Sequence, residues 1–264
     1  MYYYYIYDGF LADGKYDRTL AAIETRLTDL GISGKIGRLS PFTNARGLIR
    51  DETRRGVQTL VVVGNDETVS KVVEGLGEAK VTLGFIPVGS SNEIARSLGI
   101  PEGVEACDVL SKRVTQKIDL GLVNGRFFLS SVRIPQGEVT IEGEGKYRIS
   151  TPRTKCEVIV SNLRSGQVID DEYPVSFRPG DPKDGFLDTL VRPSAGGIWG
   201  TIRKRLPNVP SVIPLRKMCI SSDKPFPVIA DGRTFMNDSL SIEIVPDRLK
   251  VITGRERQFA QEMG

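Results

Sequence analysis

The sequence predicts two domains, an α/β N-terminal domain with a doubly wound parallel sheet and a C-terminal β-sandwich domain. Three observations carry that expectation. Apolar β-type runs and amphipathic helical stretches alternate as far as Thr115. Beyond it the helical rhythm stops, and short strand-like runs are separated by Gly, Pro and Asp. The composition is globular, with 39% hydrophobic and 26% charged residues in a chain of 264, enough for two domains of ordinary size.

Each element has its own signal. Met1-Tyr2-Tyr3-Tyr4-Tyr5-Ile6-Tyr7 lacks the cationic start and cleavage site of a leader and reads as a first strand. From Arg18 to Leu30 the residues Leu20, Ile23, Leu27 and Leu30 share one helical face, and Gly31 follows as a C-terminal cap. Ile36 to Leu39 is a short strand, and Thr43 or Asn44 caps a second helix that ends at Gly56. Leu60-Val61-Val62-Val63 is uniformly apolar and β-branched, as expected of a parallel strand covered on both faces. Gly64-Asn65-Asp66-Glu67-Thr68 then leads into a helix with its face at Val69, Val72, Val73 and Leu76, closed by Gly77. The pattern repeats with a strand from Val81 to Ile86, the loop Pro87-Val88-Gly89-Ser90-Ser91-Asn92, and a helix from Glu93 to Leu98 stopped by Gly99 and Pro101. Both polar loops fall at strand carboxyl ends, where doubly wound sheets bind ligands.

In the second half, Ile118, Leu120 and Leu122 alternate before the turn signal Asn124-Gly125, and Phe127 to Val132 returns as a hairpin partner. Further strands are expected at Val139–Ile141, Glu157–Val160, Val175–Phe177, Leu187–Val191, Met218–Ile220, Val228–Ala230 and Leu240–Val245. The chain thus divides into residues 1–115, 116–250 and a tail, 251–264, for which a return to the first domain is one option.

Composition removes several chemistries. With no histidine, every mechanism that needs an imidazole base, shuttle or metal ligand is excluded. Cys107, Cys156 and Cys219 are far apart, form no C-x-x-C, and suit a reducing cytosol. A formal charge of +3 does not call for nucleic acid as a partner. No run is long enough to be a transmembrane helix, so the expected location is cytoplasmic. Between Ile198 and Lys217, Trp199 and aliphatic residues mix with Arg203, Lys204, Arg205, Arg216 and Lys217. That mixture suits either peripheral contact with an anionic bilayer or a short helix and loop packed on the β domain.

The two strand-loop-helix junctions, taken with a C-terminal β domain, resemble the diacylglycerol kinase family, which includes bacterial lipid kinases and sphingosine kinases and is distantly related to NAD kinases. The family's G-G-D-G-T appears as Gly64-Asn65-Asp66-Glu67-Thr68. Its P-x-G-T-G-N-D followed by A-R appears as Pro87-Val88-Gly89-Ser90-Ser91-Asn92-Glu93 followed by Ala95-Arg96. Ile118-Asp119-Leu120-Gly121 and Asp184-Gly185-Phe186-Leu187-Asp188 are similar to two later segments of that family.

The resemblance implies ATP and Mg²⁺ as cofactors and a lipid hydroxyl of the diacylglycerol type as phosphate acceptor. It implies a nucleotide site at Gly64, Asn65, Asp66, Thr68, Gly89, Ser90, Ser91 and Asn92, with backbone N–H groups of the two loops facing phosphates. Asp181 and Asp184 match the place where bacterial lipid kinases hold a structural magnesium. Asp66 and Asp231 are the candidate catalytic carboxylates.

Three departures stand beside the match. Asn65 and Glu67 replace glycines, and Glu67 brings negative charge beside a polyphosphate unless its side chain turns away. The family's C-terminal D-G-E, whose Glu is a proposed base, is Asp231-Gly232-Arg233 here. Its N-P-x-S-G after the first strand is replaced by Tyr7-Asp8-Gly9-Phe10-Leu11. Two other functions stay open on these grounds: a degenerate relative that binds nucleotide or lipid without kinase activity, and an NAD kinase. A homo-oligomer is compatible with the sequence.

Overall fold

The computed structural model describes residues 2–40, 42–150, 156–163, 180–193, 211–257 and 259. The expected strand at Val175–Phe177 and the Trp199 part of the basic stretch lie outside the described residues. Two compact units are present, one of Met1–Asp119 with Asp247–Gly264, the other Leu120–Pro246.

The first unit is built on parallel strands. β1 (Tyr3–Tyr7), β3 (Thr59–Gly64) and β4 (Thr82–Pro87) are buried along their whole length. That explains their unbroken apolar character, because helices cover both faces of such strands. β2 (Lys35–Arg38) closes one edge and is mostly exposed, with Lys35 and Arg38 at its ends; charged residues on an edge discourage pairing with another chain. The register sets Tyr5 beside both Ile36 and Val61, and Val61 beside Gly84. Beyond β4 the sheet gains the last residues of β14 (Arg233–Ile252), with Lys250 beside Thr82 and Val251 beside Leu83.

The helices end as the sequence indicates. α1 (Asp17–Asp29) buries Leu20, Ile23 and Leu27. α2 (Ala45–Arg54) is capped by Asn44, whose side chain accepts from the Gly47 amide at 2.8 Å. α3 (Asp66–Gly75) and α4 (Glu93–Ser97) follow the two polar loops, and Gly31, Gly77 and Gly99 take the left-handed conformation just past α1, α3 and α4. α5 (Glu105–Lys112) was not expected. It ends on Arg113 at φ 52° rather than on a glycine, so its stop signal is missing from the sequence, although it buries Ala106, Cys107 and Leu110.

The second unit is rich in strands. β5 (Thr115–Val123), which enters it from the first unit, and β6 (Arg126–Phe128) form the hairpin expected at Asn124-Gly125, both of which have positive φ. β7 (Ser131–Gly137), β8 (Thr140–Gly143), β9 (Tyr147–Ser150), β10 (Cys156–Ser161), β11 (Leu187–Pro193) and β12 (Ser211–Leu215) follow. The segments expected as separate strands at Met218–Ile220 and Val228–Ala230 are one strand, β13 (Lys217–Ala230). Its first part pairs with β8, its end pairs with β7, and its pairing with β14 shifts between Ser221 and Phe226. One irregular strand therefore pairs with β8 and β7 in turn as well as with β14, and Val132, Val158, Val160, Ile220, Val228, Leu240 and Ile242 meet in the unit's core.

Candidate functional site

Gly64 ends β3 at a point where no side chain fits: a Cβ there would collide with the Thr68 side chain. The next residue starts α3 with a reciprocal cap. Asn65 Oδ1 accepts from the Thr68 amide, and Thr68 Oγ1 accepts from the Asn65 amide, each at 3.2 Å. The Thr68 hydroxyl is then free to donate, and it does so to Asp8 Oδ2 at 2.9 Å. Asp8 is buried just after β1, and its other oxygen accepts the Phe10 amide at 3.2 Å. Lys71 Nζ lies 3.4 Å from Asp8 Oδ2 and 3.0 Å from Glu67 Oε1. Glu67 is thus turned onto Lys71, one helical turn along α3. Burial disfavours the Lys71 charge, but the Glu67 hydrogen bond and the Asp8 field outweigh it, so its ammonium titrates above an ordinary lysine.

Asp66 ties this turn to the second loop. Its amide donates to the Ser91 carbonyl at 2.8 Å, and its carboxylate accepts from Ser91 Oγ at 2.8 Å, the Glu93 amide at 2.8 Å and the Ile94 amide at 3.0 Å. The sequence places Asp66 beside a ligand as a catalytic group; in the fold its carboxylate caps α4 from across the site. Burial pushes its pKa above the usual carboxylate range, against the pull of those three donors. Asn65 Nδ2 adds a bond to the Ser90 carbonyl at 2.9 Å, and Asn92 Nδ2 one to the Gly89 carbonyl at 2.9 Å.

These side chains hold the second loop by its carbonyls and leave its amides unused. Among the described residues no acceptor faces the backbone N–H of Gly89, Ser90, Ser91 or Asn92. Gly89 has φ +91°, and a Cβ on it would sit 3.1 Å from the Phe10 ring. Phe10 in turn packs edge-on against Tyr16, with ring centroids 5.5 Å apart. Asn92 Oδ1 is buried without a partner. Four amides in a row suit phosphate oxygens, and the orphaned Asn92 oxygen suits a hydroxyl donor, so the donor set fits a nucleotide.

The remaining candidates lie in the second unit. Asp231 has φ 44° and accepts from the amides of Leu129 at 2.6 Å, Ser130 at 2.8 Å and Ser131 at 2.9 Å. Its carboxylate pins the segment between β6 and β7. Arg233 is exposed at the start of β14. Asp181 Oδ1 accepts the Lys183 amide at 3.1 Å, and Asp184 Oδ1 accepts the Phe186 amide at 2.9 Å, the pattern of two Asx turns. Among the described residues no group of three or more Asp, Glu, Cys or His side chains could hold a metal.

Sequence reasoning missed Asp8 and Lys71. The available signals were a carboxylate directly after an apolar strand and a lysine four residues beyond Glu67.

Residues 4–123 match the family model of the diacylglycerol kinase catalytic domain. That match covers a little under half of the chain, and relatives named diacylglycerol kinase or probable lipid kinase are similar to 31% and 33% of it. The diacylglycerol kinase of Bacillus subtilis (strain 168) is 38% identical over 85 residues, which cover 31% of this chain and 28% of that protein. The chain's aligned stretch thus spans less than a third of that relative's length. Among solved structures, a diacylglycerol kinase from Bacillus anthracis str. Sterne has a TM-score of 0.76 at 20% identity and covers 96% of this chain and 97% of its own. An NAD kinase from Archaeoglobus fulgidus in complex with ATP has a TM-score of 0.60 at 16% identity, covering 97% of this chain and 95% of its own. At these identities the two structures show a shared fold. The family match contains both loops of the site, Gly64–Thr68 and Gly89–Asn92.

Proposed function

We propose that the chain is a lipid kinase that binds ATP with its phosphates on the Gly89–Asn92 loop and transfers the terminal phosphoryl group to a lipid hydroxyl of the diacylglycerol type. The observation that carries the reading is the run of four unpartnered amides, held in place through Asp66 and Asn65 inside the family-matched stretch. Backbone donors fixed in advance need no reorganisation when charge arrives, which is the main protein contribution to phosphoryl transfer. A magnesium ion carried on the nucleotide would offset the charge of its phosphates. A lipid acceptor would bring the reaction to a membrane surface, and the proposed location is cytoplasmic and peripheral to the bilayer.

In the transfer, the acceptor oxygen bonds to the γ-phosphorus, the bond to the bridging oxygen breaks, ADP leaves, and the hydroxyl proton must be taken up. Asp66 and Asp231 each already accept from three donors, and Arg233 cannot accept a proton. General-base assistance is worth roughly 10²–10⁴-fold, so the chain is expected to be a slow kinase that relies on positioning.

The same observation favours a second reading, a homologue that binds nucleotide without transfer. Calorimetric titration of ATP, with and without Mg²⁺, into the whole protein separates both readings from neither. Saturable binding that is lost in Asp66→Ala supports the site, and no binding at millimolar ATP removes it. Given binding, transfer of label from ATP to diacylglycerol in mixed micelles identifies the kinase, and its absence leaves the binder.

A further inference from the structure

We infer that Lys71 is the positioning cation of this site: by holding Asp8 and Glu67 together, it keeps the Gly64–Thr68 turn electrostatically open to a polyphosphate. The inference rests on the nucleotide reading above and concerns how the chain tolerates Glu67.

Three carboxylates, those of Asp8, Asp66 and Glu67, belong to the two segments that meet at this turn. Each has a different partner set. Asp66 is satisfied by backbone and hydroxyl donors from the second loop. Asp8 and Glu67 share one cation, with Lys71 Nζ 3.4 Å from Asp8 Oδ2 and 3.0 Å from Glu67 Oε1. Lys71 is about half exposed, Glu67 is well exposed and Asp8 is almost fully buried, so the ammonium bridges interior and surface.

The geometry follows from helical spacing. Glu67 and Lys71 stand four residues apart on α3, with the glutamate toward the N-terminus, the favoured order for such a pair. Asp8 arrives from the segment after β1, so one side chain clips that segment to the helix start. Without Lys71, Asp8 keeps the Thr68 hydroxyl and Phe10 amide, which preserve its position but add no positive charge. Glu67 would keep no cation and would be free to swing toward the phosphates. Like charges at that range repel strongly, and the repulsion grows with each phosphate on the ligand.

The test uses the whole chain and calorimetric affinities for AMP, ADP and ATP at fixed salt. Lys71→Met should weaken ATP about tenfold or more and AMP far less, a graded loss that purely structural damage does not produce. Lys71→Arg should restore affinity, and the double variant Glu67→Gln with Lys71→Met should recover most of it. Glu67→Gln alone, which leaves the Asp8 contact intact, should bind ATP at least as tightly as the parent; it keeps the test decisive if Lys71→Met melts. An equal loss for all three nucleotides, no rescue by the double variant, or weaker ATP binding by Glu67→Gln overturns the inference. If the parent itself binds no ATP, the nucleotide reading fails; if it binds and Lys71→Met binds equally well, only the role of Lys71 fails.

Discussion

Asp66 and Ser91 hold each other by two reciprocal hydrogen bonds: the Asp66 amide donates to the Ser91 carbonyl, and the Ser91 hydroxyl donates to the Asp66 carboxylate, both at 2.8 Å. The pair locks the start of one helix to the loop before another across 25 residues of sequence. Removing the carboxylate strands the Glu93 and Ile94 amides together with that hydroxyl. Asp66→Ala is expected to lose about 2–4 kcal/mol of stability, read by urea unfolding, and Asp66→Asn, which keeps one acceptor oxygen, about half of that.

Asp231 has the same role in the second unit. Three consecutive backbone amides point at its carboxylate, so Asp231→Ala is expected to cost about 2–3 kcal/mol in unfolding whether or not the protein has turnover. A change in activity with unaltered stability would show that the carboxylate acts in chemistry instead.

Where a proton acceptor is the missing part, supplying one should help. Arg233→Glu is expected to raise kcat for lipid phosphorylation by about tenfold or more, with the KM for ATP little changed. A fall in turnover would assign the arginine a binding role in its own right.

The thiols should separate sharply. Cys107 is buried and its pKa is pushed up to about 11, first by desolvation and then by the Asp108 charge, against the pull of Arg26. Cys156 is buried and Cys219 is exposed. A disulfide reagent at pH 8 should therefore modify one thiol rapidly in the folded chain and all three in denaturant. Cys219→Ser should abolish the fast phase.

Alkali should unfold the first unit. Burial, foremost, pushes the Tyr5 and Tyr7 phenols well above their ordinary value. Both are neutral in the native state, while the unfolded chain releases their protons near pH 10. Their contribution is complete below pH 10 and shrinks as pH rises toward the native values. Phenolate absorbance should consequently rise together with loss of structure, and Tyr7→Phe should move the midpoint to higher pH.

The fold was legible where local signals agree with burial. Leu60-Val61-Val62-Val63 could only be an interior strand, and glycines after Leu30, Leu76 and Leu98 mark helix ends because they adopt left-handed backbone without a Cβ clash. α5 escaped because Arg113 bears that conformation without the compositional sign, and β13 because Asp223, Pro225 and Pro227 look like a break in a strand that continues through them. At the site, the motif located the loops but not the partners. Which atoms Asp66 and Asp231 face depends on long-range contacts, since a carboxylate that caps a distant segment and one that meets a ligand have the same neighbours in sequence.

Asp119 and Asp247 lend the first unit a particular history. The chain leaves that unit after Asp119 and re-enters at Asp247, and the Asp247 amide is bonded to the Asp119 carboxylate at 2.8 Å. The strand beside β4 comes from beyond this return. During synthesis, then, the free edge of β4 stays unpaired until the segment after Asp247 has been made, while Leu120–Pro246 is made and can fold in the interval. A ribosome stalled before Lys250 would display a first unit still lacking the strand beside β4, the stage at which a chaperone would have the most to hold.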